Sequence, residues 1–296
     1  MNIRDLKYLV AVHDLNNFSK AAERCFVSQP TLSGQLKKME GELGAALIER
    51  STRQVLFTDL GEKVVVMARE ILLTVDNIRT TAKASNDPMH GDFHIGLIPT
   101  IGPFLLPLLV PVLNREFPHA KLFLYELQTD ALIAKLLKGE LDVGILAKRD
   151  WNHPVQEIPL YQEPMRLAVN DKDRLVAENA TIDMSVLEGR SVLMLEDGHC
   201  LREQALGFCF SAGAREDKRF KATSMDTLLH MVASGAGATL IPELASKNKV
   251  QGVTYLSFDD PQPSRDIVML MRNHSARKSA LETIAQSISN IYATAE

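Results

Sequence analysis

AAERCFVSQPTLSGQLKKMEGELGAALIER, residues 21–50, carries the punctuation of two short helices with a tight turn between them. Ser19, just upstream, can cap the first, with Ala21, Ala22 and Cys25 on its inner side. The break is three residues long, Phe26–Val27–Ser28. Ser28 caps the second helix, and Pro30 falls in its first turn, where a missing N–H costs nothing. Leu32, Leu36, Met39 and Leu43 recur at helical spacing and are expected to face inward, and Gly44 ends the helix. Gln29, Thr31, Ser33, Gln35 and Lys38 then face outward. Such side chains hydrogen-bond base edges or phosphates in a major groove, so with Ser28 and Pro30 they form the candidate DNA-reading set. IERSTRQVLFT (48–58) alternates apolar and polar residues about a turn, as a small hairpin wing does. Arg50 and Arg53 in that wing are expected to reach phosphates or the minor groove. A helical pair alone is also compatible with a solvated hairpin that binds nothing.

The rest of the composition sets limits. A chain of 296 residues is long enough for two or three domains, and 46% hydrophobic with 24% charged residues is ordinary for a globular protein. The longest apolar run, 101–113, is broken by Pro103, Pro107 and Pro111, so no membrane span is expected. MNIRDLKYLVAVHDL has acidic residues inside its apolar pattern and no small-residue cleavage site, which predicts a cytoplasmic protein without a signal peptide. Three cysteines are no disulfide framework. Residues 1–58 hold eight Lys/Arg against six Asp/Glu, in a chain of net charge −4, a mild bias toward a polyanionic partner at the N-terminal end.

The alanine pair, the S-Q-P helix start, the E-x-x-L-G turn and the I-x-R start of the wing, at fixed spacing over about 50 residues, resemble the winged helix-turn-helix of LysR-type transcriptional regulators. The resemblance implies binding to double-stranded DNA. TDLGEKVVVMAREILLTVDNIRTTAKASND follows without a proline until Pro88, with Thr58 as its cap. Leu60, Val64, Met67, Ile71, Thr74 and Ile78 make one seam, and Val65, Ala68, Leu72 and Val75 a second beside it. Thirty helical residues span about 45 Å. So wide an apolar face needs cover, and a partner helix from a second copy is the simplest.

After SNDPMHG, strand and helix patterns alternate: DFHIGLI, PFLLPLLVPVLNREF, AKLFLYEL, TDALIAKLLKGE and LDVGILA, then MRLAVN, RSVLMLE, RFKATS, MDTLLHMVASG and GATLIP. SRDIVMLMR and ARKSALETIAQSISNIYATA close the chain. This predicts an α/β unit with parallel sheet flanked by helices, in two lobes with a cleft between them. It resembles the periplasmic-binding-protein-like regulatory domain of the same family. The expected organisation is a DNA-binding domain at 1–58, a linker helix at 59–88 and a bilobed domain at 89–296. Lobe I takes about 89–162 and 266–296, and lobe II about 163–265. Thr100, Thr129 and Ser224 each follow a strand, where a hydroxyl suits either a small polar ligand or a helix cap.

HCLREQALGFC (199–209) sets two thiols nine positions apart in a helical pattern. Cys200 falls near the helix N-terminus, where the dipole favours negative charge, with His199 and Arg202 beside it. Cys209 would lie roughly 13 Å along the axis and on the opposite face. A disulfide needs Cα atoms about 4.4–6.8 Å apart, so bonding would require the segment to unwind. On composition alone, two buried structural cysteines are the favoured reading. A Cys-His hydrolase has no supporting signature, and the spacing is unusual for zinc.

LEDGHCLREQALGFC with FKATSMDTL resembles the peroxide-sensing branch of the LysR-type regulators. By that resemblance Cys200 is the peroxidatic cysteine and Cys209 the resolving one. Thr100, Thr129, His199 and Arg265 bind peroxide, and Arg202, Glu203 and Ser224 support them. Members of the branch often carry Asp after the arginine of C-L-R; here it is Glu203, one methylene longer. The resemblance further implies a non-enzymatic activator of antioxidant genes without a cofactor, with hydrogen peroxide as effector and RNA polymerase as partner. A homodimer through the linker helix and a homotetramer are also implied. An ordinary metabolite in the cleft, and a thiol peroxidase with a vestigial helix-turn-helix, are the competing readings.

Overall fold

The computed structural model describes residues 1–50, 55–83, 87–151, 153–178 and 181–295. It divides into two compact units, 1–85 and 86–296.

In the first unit, α1 (Ile3–Leu15) begins with a capping box, in which the Asn2 side chain accepts from the Arg4 and Asp5 amides and Asp5 accepts from the Asn2 amide. Asn16, at φ 48°, reverses the chain into α2 (Phe18–Arg24). The cap of α2 is Asn17, whose side chain accepts from the Lys20 amide, and not Ser19, because the left-handed turn at Asn16 starts the helix two residues early. Ser28 caps α3 (Gln29–Leu43) as expected, and Gly44 ends it at φ 69°. Ala21, Ala22, Leu32, Leu36 and Met39 are buried together. Leu43 is instead exposed, since it is the last helical residue before Gly44 turns the chain away. Cys25 is half-buried at the end of α2, packed against that core, and burial pushes its thiol up.

The wing is β1 (Ile48–Arg50) paired antiparallel with β2 (Val55–Phe57). Glu40 of α3 ties it down by accepting from the Leu47 and Ile48 amides. Arg53, and the side chain of Arg50, lie outside the described residues. Next comes α4 (Asp59–Lys83), whose first turn is capped by Thr58. Its 25 residues span about 37 Å. Its two seams have different fates. Val65 and Ala68 are buried in the unit's own core with Leu72 packed against it, whereas Met67 and Ile78 are 60% and 66% exposed, with Leu60 and Ile71 open beside them. Self-docking therefore covers half of the apolar width that the sequence assigns to a partner. Gly61 makes the docking possible, because a Cβ there would lie 2.0 Å from the Leu47 carbonyl oxygen. Gly61→Ala is expected to cost about 1–3 kcal/mol in urea unfolding; an unchanged midpoint would show that α4 can shift freely on the wing.

The second unit runs β3 (Gly91–Leu97), α5 (Gly102–Glu116), β4 (Ala120–Glu126), α6 (Thr129–Lys138), β5 (Val143–Ala147) and β6 (Val155–Asn170). Then come α7 (Leu175–Glu178), β7 (Thr181–Ile182), β8 (Ser191–Leu195), α8 (Cys200–Ser211), β9 (Arg215–Ala222) and α9 (Met225–Ala233). It ends with β10 (Thr239–Pro242), α10 (Glu243–Ser246), β11 (Val253–Phe258), β12 (Ser264–Arg272) and α11 (Lys278–Ala295). The sheet is mixed and not purely parallel. β4, β3 and β5 are parallel, but β12 runs antiparallel to both β5 and β6, and β10 and β11 antiparallel to β6. The reason is the length of β6, 16 residues. Its first part pairs with the returning strand β12, and from Met165 onward it pairs with β10 and β11. β6 and β12 thus connect the two lobes, and β8 and β9 form a separate parallel pair.

Candidate functional site

β8 ends at Leu195, and the loop that follows delivers the thiol. Gly198 adopts φ 95°, and a Cβ there would lie 2.8 Å from Gln128 Oε1, so the loop passes close under the residue that precedes α6 on the other lobe. His199 then occupies the cap position of α8 without a side-chain capping bond, and Cys200 is the first helical residue. Cys200 is half-buried. Cys209 is fully buried on the same unbroken helix. Nine residues of helix separate the sulfurs' backbones by about 13 Å and half a revolution. Both are free thiols.

Arg202 anchors this helix. Its Nε donates to Asp197 Oδ1 (2.9 Å), and its Nη1 donates to the Leu195 carbonyl (3.1 Å) and pairs with Glu216 of β9 (2.8 Å). The helix start is thereby fixed to the ends of two strands. Glu203 is exposed in the first turn of α8.

Burial pushes the Cys209 thiol from its ordinary value of 9.0 up to about 12. It is therefore protonated and a poor nucleophile in this fold. The shift has a thermodynamic signature. Between about pH 9 and pH 12 the unfolded chain releases this proton and the native chain keeps it. Stability is unaffected below pH 9 and falls as pH rises through that window, by up to about 1.4 kcal/mol per pH unit. Urea melts should show a steeper alkaline slope in the wild type than in Cys209→Ala, which keeps only the part owed to the half-buried Tyr161 and Tyr255; equal slopes would mean the thiol is not desolvated.

A cleft of about 340 Å³ opens beside the loop, lined among others by Thr100, Gln128, His199 and Ser224. Thr100, in the turn after β3, accepts at Oγ1 from Arg265 Nη1 (2.9 Å) and at its carbonyl from Nη2 (3.0 Å). Arg265 sits on β12 and is buried. Thr129 begins α6 next to Gln128, and its Oγ1 is buried without a hydrogen-bond partner among the described residues. The same holds for His199 Nδ1. His199 lines the cleft and Thr129 adjoins the lining residue Gln128, so both groups have hydrogen-bonding capacity to offer a small polar ligand. Ser224 has a simpler occupation: it caps α9 by accepting from the Thr227 amide. Sequence reasoning missed Glu163, the buried acid paired with Arg265, and Gln128. The available signal was a charge inside an otherwise strand-like run, QEPMRLAVN.

On the first unit, Ser28, Gln29, Pro30, Thr31, Gln35 and Lys38 are exposed along one stretch of α3, and Ser33 is half-buried. Among the described residues no helix is long and apolar enough to cross a membrane, and no group of His, Cys, Asp and Glu could hold a metal.

Comparison with known proteins matches residues 3–62 to the lysR-family bacterial regulatory helix-turn-helix protein and residues 86–290 to the LysR substrate binding domain. The "Hydrogen peroxide-inducible genes activator" of Dickeya chrysanthemi is 48% identical over 290 residues, covering 97% of this chain and 95% of the relative. A full-length OxyR variant from Pseudomonas aeruginosa superposes with a TM-score of 0.79 at 35% identity, over 97% of this chain and 94% of that one. The crystal structure of an oxidized OxyR matches with a TM-score of 0.63 at 46% identity, over 69% of this chain and 97% of that one.

Proposed function

We propose that this chain, which belongs to the LysR family of bacterial transcriptional regulators, senses hydrogen peroxide through a reversible Cys200–Cys209 disulfide and switches gene activation accordingly. The observation that carries the reading is the placement of two free thiols at opposite ends of α8, with His199, whose Nδ1 has no partner among the described residues, next to the first.

The chemistry balances with these groups alone. The Cys200 sulfur attacks one peroxide oxygen, the O–O bond breaks, and the other oxygen leaves as water once protonated, giving Cys200 sulfenic acid. Thr100, Thr129, His199 and Arg265 hold and polarise the peroxide. The Cys209 sulfur then attacks Cys200, a second water leaves, and the disulfide forms. The second step cannot proceed from the intact helix, since the backbone holds the pair about 13 Å apart. α8 must unwind, and unwinding also exposes the buried Cys209 thiol. Releasing α8 breaks the Arg202 contacts to β8 and β9 and remodels lobe II.

The organisation follows. Residues 1–58 read double-stranded DNA through Ser28, Gln29, Pro30, Thr31, Ser33, Gln35, Lys38, Arg50 and Arg53. Residues 59–88 pair two copies, and 89–296 sense the oxidant, in a dimer of dimers that acts with RNA polymerase in the cytoplasm. Oxidation is one signalling event per activation and not turnover. Mass-spectrometric thiol mapping before and after micromolar peroxide, read beside a DNA footprint of each sample, tests this. The disulfide and a changed footprint should appear together. A cleft of about 340 Å³ exceeds what peroxide fills and favours, as a second reading, a metabolite effector there. That reading gains if the footprint responds to oxidant-free cell extract and ignores peroxide.

A further inference from the structure

We propose that Glu163 is a positioning residue for the peroxide reaction: it orients Arg265 so that the Thr100 hydroxyl is left with its proton facing the cleft. The proposal rests on the peroxide-sensing reading above and adds a residue to it.

Glu163 and Arg265 are directly opposed on β6 and β12, the strands that join the lobes. They are 1% and 3% exposed, so this is a fully desolvated ion pair. Glu163 Oε2 accepts from Arg265 Nε (2.9 Å) and lies 2.8 Å from Nη2. Its other oxygen, Oε1, accepts from the Leu244 amide in α10 of lobe II (3.0 Å). Arg265 passes the constraint on to lobe I, donating from Nη1 to Thr100 Oγ1 and from Nη2 to the Thr100 carbonyl. One carboxylate thus sets the plane and rotation of the guanidinium and fastens it to both lobes at once.

The consequence for Thr100 follows from donor counting. A guanidinium only donates, so Thr100 Oγ1 must accept from it. The hydroxyl proton is then unspent, and Thr100 lines the cleft. Donation from a cationic partner polarises that O–H toward an incoming oxygen. Thr100 is therefore a donor to peroxide, while Thr129 Oγ1 and His199 Nδ1 remain open to complete its hydrogen bonds. A buried ion pair is weak evidence for stability, because desolvation offsets the attraction. Its value here lies in the fixed direction of the Thr100 hydroxyl.

The test uses the full-length chain and two reagents for Cys200. Hydrogen peroxide needs orientation by the cleft, and iodoacetamide does not. Glu163→Gln keeps the shape and removes the charge. It is expected to slow peroxide oxidation of Cys200 by about 10- to 100-fold while leaving alkylation within about twofold. In a Thr100→Val background, Glu163→Gln should add no further slowing, because the group it orients is gone. If Glu163→Gln does not fold, Glu163→Asp carries the same comparison, its carboxylate kept but one methylene short. Equal slowing with both reagents, no slowing with peroxide, or full additivity with Thr100→Val overturns the proposal. Failure of the wild-type chain to form the Cys200–Cys209 bond in peroxide would instead overturn the sensing reading itself.

Discussion

Cys200→Ser is expected to leave a folded protein that binds DNA and no longer responds to peroxide at all. Cys200 is half-buried at the start of α8, next in the chain to His199, which lines the cleft, so its replacement by a near-isosteric hydroxyl disturbs little packing. A serine hydroxyl is not oxidised by peroxide. Cys209 cannot substitute as the first target, since it is fully buried and its thiol is held protonated, with burial pushing it up to about 12. The variant should show no disulfide, no sulfenic acid and an unchanged footprint across the peroxide range that switches the wild type. Cys209→Ser should differ in kind: it stops at the sulfenic acid, which a dione probe traps, and again leaves the footprint unswitched. A Cys200→Ser protein that still switched would place the sensor elsewhere.

The second large effect concerns assembly. Met67→Glu combined with Ile71→Glu is expected to give monomers in sedimentation and to weaken operator binding by about 10²- to 10⁴-fold, the range lost when two linked sites become independent. The reasoning is the division of α4. Val65 and Ala68 face the unit's own core, whereas Leu60, Met67, Ile71 and Ile78 form an exposed apolar seam. Two carboxylates per copy on that seam would be desolvated and mutually repelled in a dimer, at a cost of several kcal/mol. Because neither side chain contributes to the core, melting of the helical unit should change little. Retention of the dimer would mean that the seam is covered in another way.

Much of this was legible in the sequence, for identifiable reasons. The helix-turn-helix is marked by local chemistry: a serine cap, a proline in the first turn and a glycine stop each act within a few residues. The wing and the linker helix follow from period alone. The cap of α2 falls at Asn17 and not at Ser19, because two successive asparagines supply first the left-handed turn and then the capping oxygen. Sheet direction failed for a different reason. Alternating strand and helix implies parallel pairing only while each strand stays in one lobe, and β6 does not. Glu163 shows the same limit. It lies 102 positions from Arg265 in the chain, so the local signal, a charge inside a strand-like run, does not name its partner. The peroxide-binding role of Thr100, Thr129 and His199 came from resemblance; position after a strand left Thr100 and Thr129 as either ligand groups or helix caps, and the Arg265 bond to Thr100 joins residues too far apart in the chain for local sequence to show.

The central claim is that joining the two sulfurs requires α8 to be rebuilt. Hydrogen exchange of the full-length chain, with disulfide mapping of the same sample before and after peroxide, addresses it most directly. The account predicts one Cys200–Cys209 bond per chain and loss of amide protection across 200–211, with β3 and α3 unchanged. A bond formed with α8 still protected, or a switched footprint with neither bond nor loss of protection, would contradict it.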